Sequence, residues 1–189
     1  ALNVGIKSAH YEHLLFTTPD VYPTSDRWLS LMANGFRRGE IVLGYCGMER
    51  GKGFANYLIR TWRMMHSVDW ISSAVCGRPY RGMRQNYGFT KRLYFGANGF
   101  SHLNMNIGED DLFMSRIIAP GNVSVVLSPR ATLREKSWGG LRWWIGTQRF
   151  FGGAIPFYPL WVKNFIQWEL GSRILFWLAA IVALAVMPW

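Results

Sequence analysis

Acidic residues are scarce in this chain of 189 residues: 11 Asp and Glu stand against 21 Lys and Arg, a net charge of +10, and the 32 residues from Cys76 to Ile107 contain none. That imbalance disfavours a strongly basic partner and suits an anionic one, whether nucleic acid, phosphorylated substrate or acidic membrane surface. Cysteine is nearly missing too. Cys46 and Cys76 cannot build a disulfide framework, and neither lies in a metal-type pair, so a reduced, cytoplasmic setting is expected. His10, His13, His66 and His102 show no ligand spacing, which points to structural or surface roles. The opening stretch "ALNVGIKSAHYEH" lacks the apolar core of a signal peptide and carries no initiator Met. It reads as the middle of a helix running into a strand, so the chain is expected to be truncated at its start. Internal repeats and low-complexity segments are absent, which excludes solenoid architectures.

What is present is apolar. Half of the residues are hydrophobic, enough for one domain with a real core but not comfortably for two, so one domain plus an appendage is expected. The appendage is the tail. After Arg173 the sequence "ILFWLAAIVALAVMPW" has no charge. It is a little short of the roughly 20 apolar residues that span a bilayer, and it lacks the polar face of a soluble helix. Just before it, "FYPLWVKNFIQWELGSR" interleaves Trp, Tyr and Phe with Lys163, Glu169 and Arg173 in the manner of an interfacial belt. These readings give a domain over 1–152, an interfacial amphipathic segment over 153–172 and a transmembrane helix over 173–189. The basic excess upstream puts the domain on the cytoplasmic side.

Within the domain, "HLLFT" (13–17), "EIVLGY" (40–45) and "VSVVLSP" (123–129) are apolar runs bounded by turn residues, which predicts buried strands. "SDRWLSLMANGF" predicts a helix capped by Ser25, with Trp28, Leu29, Met32 and Phe36 on one face. From Gly53 to Ala74, the spacing of Phe54, Leu58, Trp62, Met65 and Val68 predicts a second helix whose stripe is core or membrane-facing surface. Alternating strands and helices give an α/β class.

The acids that do exist are concentrated. Glu109, Asp110 and Asp111 stand together in "GEDDLF", between a Gly-rich polar loop and the apolar "LFMSRII". Acids in a first helical turn are favoured by the helix dipole. Three adjacent carboxylates also repel one another, which makes them candidates for proton-transfer chemistry. The basic cluster Arg78, Arg81, Arg84, Lys91 and Arg92 suits either a lipid-facing surface or a place beside a phosphate.

In order and approximate spacing, "LLFTTPDVYPTSDRWL", "IVLGY", "GRPYRGMRQNYGFTKRLYF", "GEDDLF" and a later Trp with Gln resemble the family 2 glycosyltransferases, and more narrowly their bacterial membrane-associated members. The resemblance covers about residues 3–150 and implies the acceptor-side half of a GT-A fold. It further implies that a half bearing the first strand and a uridine-binding Asp would precede residue 1. By the same resemblance, Asp110 is the catalytic base, with Glu109 and Asp111 shaping its surroundings. Asp20 is the second Asp of the metal motif and reaches a divalent cation, Mg or Mn, while Thr18 stands where the first Asp would be. Asn86 and Arg84 fall near the acceptor. Gln148 and Arg149, in "QRFF", correspond to the Gln-x-x-Arg-Trp element that holds the diphosphate and acceptor, with the Arg displaced.

The implied function is an inverting glycosyltransferase at the bacterial inner membrane, on its cytoplasmic side. Its partners would be a nucleotide-sugar donor, a glycan or lipid-linked acceptor and the membrane. A different class also fits: a non-catalytic, degenerate transferase-like membrane protein that binds lipid or a partner. A nucleic-acid partner is not expected, since no binding motif accompanies the charge and the apolar tail argues against one.

Overall fold

Short apolar runs and long amphipathic ones alternate along the chain, and they fold as a mixed α/β structure. The computed structural model describes residues 2–99, 109–136, 140–153 and 155–186, the side chains of residues 109, 110, 150 and 151 excepted. In chain order the elements are α1 (Leu2–Ser8), β1 (His13–Phe16), β2 (Val21–Pro23), α2 (Trp28–Gly35), β3 (Ile41–Gly44), β4 (Cys46–Met48), α3 (Phe54–Val75), β5 (Tyr87–Thr90), α4 (Lys91–Gly96), α5 (Glu109–Ile117), β6 (Val123–Val126), β7 (Leu133–Glu135), α6 (Leu141–Gly152) and α7 (Leu160–Val186). The chain divides into two units, residues 1–154 and 155–189.

Two sheets organise the first unit. One has the order β1-β5-β3-β6, the other β2-β7-β4. β5 is antiparallel to both β1 and β3, whereas β3 and β6 run parallel, with Ile41 opposite Val123. β7 is antiparallel to β2 and parallel to β4. The chain passes from the first sheet to the second at Tyr45, between β3 and β4, and β6 and β7 make the same passage alongside.

The faces of the four-stranded sheet are filled by different chemistry. On one, Met32 of α2 packs with Val42, Val126 and Ala131, joined by Leu15, Trp28, Leu31 and Phe36. Gly88 faces this side with no room for a side chain, since a Cβ there would lie 2.6 Å from Leu15 Cδ2 and 2.9 Å from Phe36 Cζ. On the other face Phe16 stacks on Phe89 at 4.5 Å, and Phe113 of α5 meets Phe89 at 5.4 Å and Tyr94 at 5.5 Å. Burying such rings supplies much of the hydrophobic drive that fixes α5 on the sheet.

Two expectations change on this frame. Leu29 does not share the core face of α2: it is exposed, and Leu31 takes part in the packing instead. The tail does not start a helix of its own at residue 173. One helix, α7, runs continuously through Arg173, which pairs with Glu169 one turn earlier, so the aromatic belt from Leu160 onward is its first half. α7 is long and apolar enough to cross a membrane.

Candidate functional site

Asp20 ends the turn between β1 and β2 and is half-buried. Its backbone carbonyl accepts from Lys136 N at 2.9 Å, and the next residue, Val21, pairs with Glu135 in the β2–β7 ladder. The sheet therefore seats Asp20 beside the end of β7. Two residues earlier, the Thr18 hydroxyl oxygen is buried and has no hydrogen-bond partner among the described residues.

Glu135 begins a buried polar seam. It is only 4% exposed, and its Oε2 accepts from Arg63 Nη1 at 2.5 Å and Gln85 Nε2 at 3.0 Å. Arg63 belongs to α3, and His66, one turn further along the same helix, meets Arg81 Nη1 at 2.8 Å. Arg81 in turn places Nη2 at 3.0 Å from Asp111 Oδ2. Both side chains are largely shielded from solvent, so desolvation offsets much of the pair's attraction, but loss of either partner would strand a buried charge. Asp20, at one end, and the start of α5, at the other, are thus linked through β7, Glu135, Arg63, α3, His66 and Arg81.

Burial shifts two groups beside the seam. The Cys46 thiol is pushed up to about 12, chiefly by desolvation, although Arg63 opposes the shift. The Tyr45 phenol is likewise raised by burial, against the pull of Arg134, Arg63 and Arg60. Cys46 is therefore a small buried hydrophobe at neutral pH rather than a nucleophile.

The "GEDDLF" acids open α5 as expected, with Glu109 its first residue. Asp111 points inward to Arg81; the Glu109 and Asp110 side chains, which carry the base assignment, lie outside the described set. Phe113, 1% exposed, and its neighbours Leu112 and Met114 hold this first turn against the sheet.

Asn86 is fully buried and engaged internally. Its Nδ2 donates to Tyr45 O at 2.9 Å and Ala131 O at 3.1 Å, while its Oδ1 accepts from Trp28 Nε1 at 2.9 Å. Both carbonyls lie where the chain crosses between the sheets: Tyr45 O also accepts from Leu133 N of β7 at 3.1 Å, and the amide serves Ala131 O where no strand does. Gly44 must be glycine beside it, because a Cβ there would come within 2.5 Å of Asn86 Nδ2. On α6, Gln148 accepts from Trp62 Nε1 at 3.3 Å, and Arg149 is exposed. Arg84 is exposed in the loop before β5.

The basic cluster disperses. Arg81 turns inward to Asp111, Lys91 Nζ donates to Ala9 O at 2.7 Å, and Arg92 pairs with Glu40 at the surface, which raises its pKa. Sequence reasoning missed Glu135, Arg63 and Gln85 altogether. Glu135 offered one signal: it is the single acid in the "TLREK" stretch, with a basic residue on either side.

Among the described residues, no group of three or more His, Cys, Asp and Glu is placed to hold a metal ion. No protein family and no curated protein matches the chain.

Proposed function

We propose that this chain is the acceptor-side part of a GT-A-type, inverting glycosyltransferase that works at a membrane surface, taking its sugar from a nucleotide diphosphate. The observation that carries the reading is the seating of the acidic triplet. Asp111 is committed to Arg81, and the buried ring of Phe113 locks the helix behind it. A base must be held rigidly at its substrate to be effective, and this helix start is anchored on two sides.

In the proposed reaction Asp110 takes the proton of an acceptor hydroxyl as its oxygen forms a bond to the anomeric carbon. The bond from that carbon to the nucleoside diphosphate breaks on the opposite face, which inverts the configuration. Arg81 keeps Asp111 and the first turn of α5 in place. At the other end, the Asp20 carboxylate and the orphaned Thr18 hydroxyl are hard oxygen donors of the kind Mg²⁺ and Mn²⁺ take, and they would hold the divalent cation of this reading. When bound, such an ion would offset the charge on the departing diphosphate.

A second reading, a non-catalytic transferase-like membrane protein, is favoured by the internal engagement of Asn86 and Gln148, two residues that would otherwise face substrate. The two readings separate in one experiment, run on the protein with whatever sequence its gene places before residue 1. Nucleoside diphosphate release is measured from a panel of nucleotide sugars. Asp110→Asn is expected to slow release by roughly 10² to 10⁴ fold with little change in donor affinity. No release with any donor would overturn the transferase reading. A dead Asp111→Asn beside an active Asp110→Asn would move the base by one residue.

A further inference from the structure

α3 has two apolar faces, and only one of them is used. Residues follow one another by about 100° around a helix. Asn56, Ile59, Ser67 and Trp70 are buried on one side. The opposite side carries Phe54, Tyr57, Leu58, Met65, Val68 and Val75, all exposed, with Phe54 at 73% and Val75 at 61%. The polar residues within this stripe are Thr61 and Ser72, and neither is charged. Arg60, Arg63 and His66 lie off it, and the one acid of the helix, Asp69, sits at its edge about 20° beyond Leu58. A solvent-facing side would be expected to hold those charges. Over 22 residues the uncharged stripe is about 33 Å long, a size of apolar surface that marks an interaction site.

We propose that this face of α3 lies on an anionic bilayer, as a membrane contact of the first unit separate from α7. Two observations favour lipid over a protein partner. The ends of the stripe are basic, with Arg50 and Lys52 exposed before it and Arg78 after it, so anionic headgroups would be complementary. α6, which packs beside α3 through the Trp62–Trp144 edge contact at 5.7 Å, contains no acid and exposes Leu141, Trp143 and Ile145 together with Arg142 and Arg149.

The test uses the full chain in vesicles and reads no enzymatic activity, so it stands or falls apart from the transferase reading. Cys76 is replaced by Ser, and an environment-sensitive fluorophore is attached to Val68→Cys or, as a control, to Ala33→Cys on the exposed side of α2; Cys46 is buried and does not compete. In vesicles of phosphatidylcholine and phosphatidylglycerol, headgroup-proximal nitroxide lipids are expected to quench the label at 68 several-fold more than the label at 33. In phosphatidylcholine alone that difference should shrink several-fold. Equal access of aqueous iodide to both labels would overturn the proposal, as would undiminished quenching in phosphatidylcholine alone. Protection that depends on protein concentration, with energy transfer between labelled copies and no nitroxide quenching, would assign the face to a second copy instead.

Discussion

Asn86 shows how far a single amide can matter to this fold. Its three partners are 58, 41 and 45 residues away in sequence, and they belong to α2, the Tyr45 crossing and the turn before β7. Asn86→Ala would take the partner from the Trp28 indole N–H and the Ala131 carbonyl in the interior, while Tyr45 O keeps its bond from Leu133 N, a loss of about 2 to 4 kcal/mol. A thermal melt in lipid nanodiscs is the check; an unchanged melting temperature would mean that water replaces the amide. Sequence alone presents Asn86 as a loop residue or an acceptor contact, because nothing local records partners so distant. Cys46 supports a second prediction. Its thiol titrates near 9 when unfolded and about 12 when folded, so the folded state holds the extra proton in between. Stability is then intact below pH 9 and falls as pH rises toward 12. Wild type should lose more stability than Cys46→Ala over that window, and maleimide at pH 8 should modify Cys76 alone until the protein unfolds.

Among the elements, α5 carries the candidate chemistry and rests on one ring. Phe113→Ala removes the contact with Phe89 and Tyr94, which should cost about 3 to 5 kcal/mol and loosen the turn bearing the acids. Hydrogen exchange over α5 is the measurement, and protection equal to wild type would contradict it. Such elements were legible because apolar residues recur in them: β1, β3, β6, α2, α3 and α5 all form where their patterns predict. The three-residue strands β2, β4 and β7 were not, since alternation cannot be recognised in so short a run. β5 was hidden as well, inside a Gly- and Arg-rich stretch without an apolar run. The seam escaped for a different reason. Arg63 and Gln85 reach Glu135 across 72 and 50 residues, and no spacing rule covers pairings of that range. Exposure was equally hidden: the stripe on α3 was visible as a periodicity, but not whether it would be core or membrane-facing surface.

At the scale of the whole molecule, two units differ in what they ask of their surroundings. α7 has few ways to shield its apolar surface except in lipid, so the full chain should resist carbonate extraction, and removing residues 155–189 should render it extractable. Extraction of the full chain would contradict this. The passage of β3 and β6 side by side into β4 and β7 sets a further condition, one of timing. Ile41 pairs with Val123, 82 residues later, and Cys46 with Leu133. Both sheets join the two ends of that interval, so the first is not complete until residue 126 has been made and the second not until residue 135. At typical rates of synthesis, the early strands wait about 4 to 16 s for their partners. Throughout that wait the apolar edge of β3 is open on a growing chain, and α7, the segment with the strongest claim on a membrane, has not yet left the ribosome. For a nascent chain built this way, yield should track synthesis speed more closely than final stability, which expression at two translation rates would measure.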